Sequence, residues 1–168
     1  MMPLETSRLI IRNYLMDDAP SMMRNSGGRG MREHLPDDVL HTIDEARAHI
    51  DECIHNDRDR QYPVAYGIAL KESGELIGEI GLSEIKQGVE INYYIAEAHQ
   101  HNGYAAEAVT GFCRWAMANL PIDRIYGMTK STNIPSCRAM ERAGFSLSEE
   151  KEIVYYGELF LFRIYIFA

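Results

Sequence analysis

The sequence predicts an α/β (α+β) domain, and three observations carry that expectation. Short runs of strand-forming residues recur along the chain from Leu9 to Phe167. Long segments with apolar residues at helical spacing lie between those runs. No repeat, low-complexity tract or linker interrupts residues 1–168, so one domain is expected over that length, large enough to bury a core without disulfide or metal staples.

Taken in order, Leu9, Ile10 and Ile11 open a strand, and Asp17 or Asp18 then caps a helix reaching about Asn25. The stretch 26–38, with Gly27, Gly28, Gly30 and Pro36, reads as a loop holding at most a short helix. Thr42 with Glu45 forms a capping-box pattern, and Ile43, Ala46, Ile50, Cys53 and Ile54 repeat at helical spacing, which predicts a helix over 43–55. Segments 64–70 and 76–82 read as a hairpin turning over 72–75, and Gly88 opens a strand over 89–95. A helix over 103–119 follows, with Ala105, Val109, Phe112, Trp115 and Ala116 as its apolar stripe and Pro121 beyond its end. Next come a strand over 125–128 and a helix over 134–143 stopped by Gly144. The last third is β-rich, with runs at 145–147, 153–156 and 159–167 and a final turn at Gly157 and Glu158.

Charge and composition narrow the function. A formal net charge of -8 repels phosphate backbones, so nucleic acid is not expected as a partner. The same field suits a cationic amine and also serves solubility. Cys53, Cys113 and Cys137 are odd in number and contain no C-x-x-C pair, which points to reduced thiols rather than a disulfide framework or a zinc site. The N-terminal residues lack the pattern of a secretory signal and no stretch approaches bilayer length, so a cytoplasmic protein without membrane attachment is expected.

The segment 89–109 is the most informative: a strand leads through Gln100-His101-Asn102-Gly103-Tyr104-Ala105 into a helix. A glycine and a small residue at a helix start let a ligand approach the backbone, where free N–H groups and the helix dipole favour an anion. An ordinary tight turn gives the same local pattern. The wider order of motifs decides between them. Gln100, Gly103 and Ala105 match the Q/R-x-x-G-x-G/A loop, and the chain here resembles the GNAT acetyltransferase superfamily, in particular its RimJ/RimL-like branch. Residues 5–12 resemble that branch's opening strand, 76–82 its third strand, and Asn133 with Ser136, followed by Gly144-Phe145, its N-x-x-S and G-F signature.

The resemblance implies a mixed, mostly antiparallel sheet of six to seven strands flanked by about four helices, with a splayed gap between the fourth and fifth strands. It implies acetyl-coenzyme A as cosubstrate, held by Ile95 and Ala96 along the pantetheine arm, by Gln100, His101, Asn102, Gly103, Tyr104 and Ala105 at the pyrophosphate, and by Asn133 and Ser136. His101 stands where relatives often have glycine. The implied activity is direct transfer of acetyl to a primary amine, on a small molecule or a protein N-terminus. A catalytically weak acyl-coenzyme A sensor of the same fold is the alternative, and a homodimer is compatible with the family. A nucleotide module of other topology would carry G-x-G-x-x-G or G-x-x-x-x-G-K-[ST], which the chain lacks.

Acetyl transfer needs a base for the amine, donors for the developing oxyanion and a proton for the leaving thiolate. Glu90 is the candidate base, sharing a strand face with Asn92 and Tyr94; an ordered water, with Glu90 in a structural ion pair, is the alternative. The tyrosine that many family members carry seven positions after the asparagine is Met140 here. Ser136 is the candidate donor to the thiolate, or else a helix cap. The N–H near Ile95 or Ala96 is the candidate oxyanion donor. Cys137 reads as packing. His99 and His101 lack supporting ligands, so no metal is expected. The resemblance places the acceptor at 31–38 and the final hairpin, with Glu33, His34, Tyr94 and Tyr155 as candidate substrate contacts.

Overall fold

The computed structural model describes residues 2–59 and 62–168. Eight strands form one sheet: β1 (Leu4–Glu5), β2 (Leu9–Arg12), β3 (Val64–Leu70), β4 (Leu76–Ile85), β5 (Gly88–Ile95), β6 (Ile125–Lys130), β7 (Ser146–Tyr155) and β8 (Glu158–Phe167). Their order across the sheet is β1-β2-β3-β4-β5-β6-β8-β7. The helices are α1 (Ala19–Ser26), α2 (Arg29–His34), α3 (Ile43–Asp59), α4 (Tyr104–Asn119) and α5 (Ile134–Ala143). None of them is long and apolar enough to cross a membrane among the described residues.

The expected mixed sheet is present, with eight strands in place of six to seven and five helices in place of about four. The extra strand β1 is two residues long, pairing Leu4 with Ile11 and Glu5 with Ile10, too short to leave a periodic signature. The extra helix α2 is six residues long with Gly28 at its N-cap, inside the stretch expected to be a loop holding at most a short helix. The runs at 145–147 and 153–156 belong to one strand: exposed polar residues between them still pair with β8 at the sheet's edge, where charge discourages edge-to-edge association. The β7–β8 turn falls one residue earlier than expected, with Tyr156 and Gly157 both at positive φ (51° and 81°). Asp18 does not cap α1. Its carboxylate instead takes both Arg12 guanidinium nitrogens at 2.7 and 3.0 Å and the Leu15 N–H at 2.8 Å.

Alternation along the strands feeds two cores. Val64, Tyr66 and Ile68 of β3 and Val89 and Ile91 of β5 pack with Val109, Phe112 and Ala116 of α4 and Met140 of α5. Ala19, Met22, Ala46, Ile50 and Cys53 of α1 and α3 pack with Tyr14 and Leu76 in the second core, against which Ala65 is also packed. The sheet is thus covered by α4 and α5 on one side and by α1 and α3 on the other.

Neighbouring strands are antiparallel except β5 and β6, which run parallel and pair only at Val89 with Ile125 and Glu90 with Tyr126. Beyond those rungs β5 continues to Ile95 paired to β4, and β6 continues to Lys130 paired to β8. The two strands diverge, as the splayed gap required.

Phe112 is fully buried, its ring 5.6 Å from Trp115 and 5.9 Å from Tyr66. Phe112→Ala should therefore lower unfolding free energy by about 3–5 kcal/mol. A loss below about 1 kcal/mol in urea denaturation would show that this packing does not hold α4 to the sheet.

Candidate functional site

Divergence of β5 and β6 opens a cleft of about 740 Å3, bounded by the end of β5, the loop into α4, the start of α5 and α2. The loop is braced from within. Gln100 Nε2 donates to the Ile95 carbonyl at 2.9 Å, and Asn102 Nδ2 to those of His99 and Gln100 at 3.2 and 3.0 Å. Arg8 ties it to β2 by donating Nη1 to the Asn102 carbonyl at 3.0 Å while its side chain is paired with Glu107 of α4 at 2.7 Å. Gly103, at φ 79°, turns the chain into α4 in the left-handed region that glycine enters without a β-carbon clash. No side chain caps this helix start, and Gly103, Tyr104, Ala105 and Ala106 line the cleft beside it. His101 also has positive φ (64°), a backbone region that favours glycine.

Of the residues singled out from sequence, Glu33, His34, Tyr94, Ile95, Gln100, His101, Gly103, Tyr104, Ala105, Asn133 and Ser136 all line this cleft. Ala96, Asn102, Glu90 and Tyr155 do not line it. The Ala96 N–H donates to the Ile77 carbonyl at 2.7 Å, which removes it as a free oxyanion donor. Asn102 acts within the loop. Glu90 sits at the last rung before the strands part; burial pushes its carboxyl up, opposed by a hydrogen bond from the Met128 N–H. Tyr155 stands outside and donates its hydroxyl to the His34 carbonyl at 2.9 Å, while Tyr156 hydrogen-bonds Asp37. The tip of the final hairpin thereby holds α2 over one end of the cleft. The His34 Nδ1 is buried without a hydrogen-bond partner among the described residues.

At the start of α5 the two readings of Ser136 separate. The Asn133 side chain accepts the Ser136 N–H at 3.3 Å and is the helix cap. The Ser136 hydroxyl instead lies 2.9 Å from the Tyr93 hydroxyl. Tyr93 was not singled out from the sequence, where it shares a strand face with the apolar Ile91 and Ile95. Burial pushes its phenol up to about 12, partly offset by the bond to Ser136, so it stands protonated at neutral pH in the cleft wall. Arg29, Arg138 and Arg142 add positive charge to the lining. The i, i+4 spacing of the last two on α5 is the one signal that could have found them.

Residues 8–146 match the family described as acetyltransferase (GNAT) domain. The Probable N-acetyltransferase YjcK of Bacillus subtilis (strain 168) is 30% identical over 113 residues, which cover 64% of this chain and 61% of that protein. Among solved structures, a GNAT-family acetyltransferase from Bacillus anthracis aligns with a TM-score of 0.84 at 20% identity, over 99% of this chain and 98% of that one. RimL, an α-N-protein acetyltransferase acting on a ribosomal protein and solved with coenzyme A, aligns with a TM-score of 0.83 at 18% identity, over 98% and 97%. At such identities the likeness is one of fold.

Gly103→Ala should cost about 1–2 kcal/mol by forcing a β-carbon into left-handed backbone. An unshifted thermal midpoint would show that the loop does not hold Gly103 in that conformation.

Proposed function

The chain belongs to the GNAT acetyltransferase family, and on that premise we propose that it transfers acetyl from acetyl-coenzyme A to a primary amine at the β5–β6 cleft. The observation that carries this reading is the early end of β5–β6 pairing. It leaves strand edges for the amides of a pantetheine arm beside an uncapped helix start for a pyrophosphate. Ile95 would contact the arm, and Gln100, His101, Gly103, Tyr104 and Ala105 would surround the phosphates. Arg138 and Arg142 supply further positive charge there.

A protonated alkylamine must lose a proton before it attacks the thioester. Glu90, at the fork where the strands part, is our candidate base, and burial raises its carboxyl above the ordinary value. The Tyr93–Ser136 hydroxyl pair is our candidate donor to the departing thiolate, replacing the tyrosine whose place Met140 occupies. For the acceptor we propose an amine reached past α2 and the final hairpin, on a small molecule or a protein N-terminus. The solved relative that acts on an α-amine of a ribosomal protein supports the second class. The net charge of -8 favours approach of a cation in either case, and a cytoplasmic setting fits both.

Release of free coenzyme A, followed across a panel of amines, tests the reaction. Glu90→Gln should lower kcat about 100-fold or more and remove the acidic limb of the pH–rate profile. A variant that keeps kcat and that limb would remove Glu90 as the base. Tyr93→Phe should lower kcat with little change in coenzyme affinity, because its hydroxyl is used only when the thiolate leaves. Undiminished kcat in that variant would leave Tyr93 a packing residue.

A further inference from the structure

A second cluster lies beneath α3, on the face of the sheet that α1 and α3 cover. His49 and Cys53 stand four residues apart on one face of that helix, and Glu79 projects toward them from β4. One ligand atom from each falls within 4.8 Å of the other two. The His49 Nε2 and Glu79 Oε2 are 2.9 Å apart, and the same carboxylate oxygen accepts the Tyr14 hydroxyl at 2.6 Å. Cys53 is buried, while the His49 and Glu79 side chains are 37% and 21% exposed, so the cluster is partly open to solvent.

We propose that His49, Cys53 and Glu79 bind one divalent cation of the zinc class, with a fourth position open to water. The donor set carries the assignment. An imidazole, a thiolate and a carboxylate together suit zinc and not magnesium or calcium, which favour oxygen alone. Zinc–ligand bonds of about 2.0–2.3 Å in a tetrahedron place neighbouring ligand atoms roughly 3.3–3.6 Å apart. The three atoms, within 4.8 Å of one another, would have to close to that spacing around the cation. Tyr14 would keep its bond to Glu79 and orient the carboxylate as an outer-shell partner.

Charge balances as well. A cation of this class takes a neutral imidazole and a deprotonated thiol, so the Cys53 thiolate and the Glu79 carboxylate would neutralise the dication. Affinity therefore rises with pH. The cation would staple α3 to β4 directly opposite Tyr94, which pairs with Glu79 across β4–β5 and lines the cleft. The site is independent of what occupies the cleft.

Tag-free protein stripped with chelator, at pH 8, should bind one equivalent of zinc chloride in calorimetry and show a raised thermal midpoint. Cobalt(II) in its place should give a thiolate-to-metal absorption band and the strong visible bands of a tetrahedral site. Cys53→Ser should abolish the thiolate band, and Glu79→Gln or His49→Gln should weaken zinc at least about tenfold. The absence of saturable binding, or a cobalt complex of the unaltered protein lacking the thiolate band, overturns the proposal whether or not each variant folds. Undiminished zinc binding in folded Cys53→Ser does the same.

Discussion

Two rungs of parallel pairing, Val89 with Ile125 and Glu90 with Tyr126, are the constraint on which the rest of the site depends. Each strand satisfies its outer edge, β5 on β4 and β6 on β8, so both remain well anchored while their facing edges part. Helix α5 supports the parting. It lies so close to β6 that a β-carbon at Gly127 would collide with the Met140 thioether, and from β5 Tyr93 reaches across to Ser136. Met140, at the position where many family members place a catalytic tyrosine, is fully used as packing. The hydroxyl that faces Ser136 comes from β5 instead.

The electrostatics of the cleft follow from the same arrangement. Parting strands leave Glu90 at the fork, half-buried, where lost hydration raises its carboxyl. The loop beyond β5 is held by its own side chains, Gln100 and Asn102, and by Arg8, which immediately precedes β2, and no side chain caps the start of α4. Negative charge dominates the molecule as a whole, yet the wall formed by α2 and α5 carries Arg29, Arg138 and Arg142. A chain of this net charge keeps a local field suited to phosphates beside a global one suited to cations.

Much of this was legible in the sequence because it rests on local rules. The stripe of Val109, Phe112 and Ala116 and the stop at Gly144 both follow from spacing and backbone preference, and both are present. What the sequence did not reveal depends on which residues meet across elements. Tyr93 reads as a core residue until α5 places Ser136 opposite it. Asp18 looks like a cap until Arg12 of the adjacent strand takes its carboxylate. His49, Cys53 and Glu79 fit no ligand motif, since one of the three comes from a different element 26 positions further along the chain. The acceptor end, built from α2 and the hairpin tip, rests on contacts such as Tyr155 with His34 that no periodicity encodes.

The most direct test is calorimetric titration of the purified protein with acetyl-coenzyme A, with ADP as the control. A cleft that holds the pantetheine arm between β5 and β6 as well as the phosphates predicts saturable one-to-one binding at micromolar concentration, and ADP weaker by at least about tenfold. Equal affinity for the two, or no binding of the coenzyme, would contradict the assignment of the β5–β6 gap.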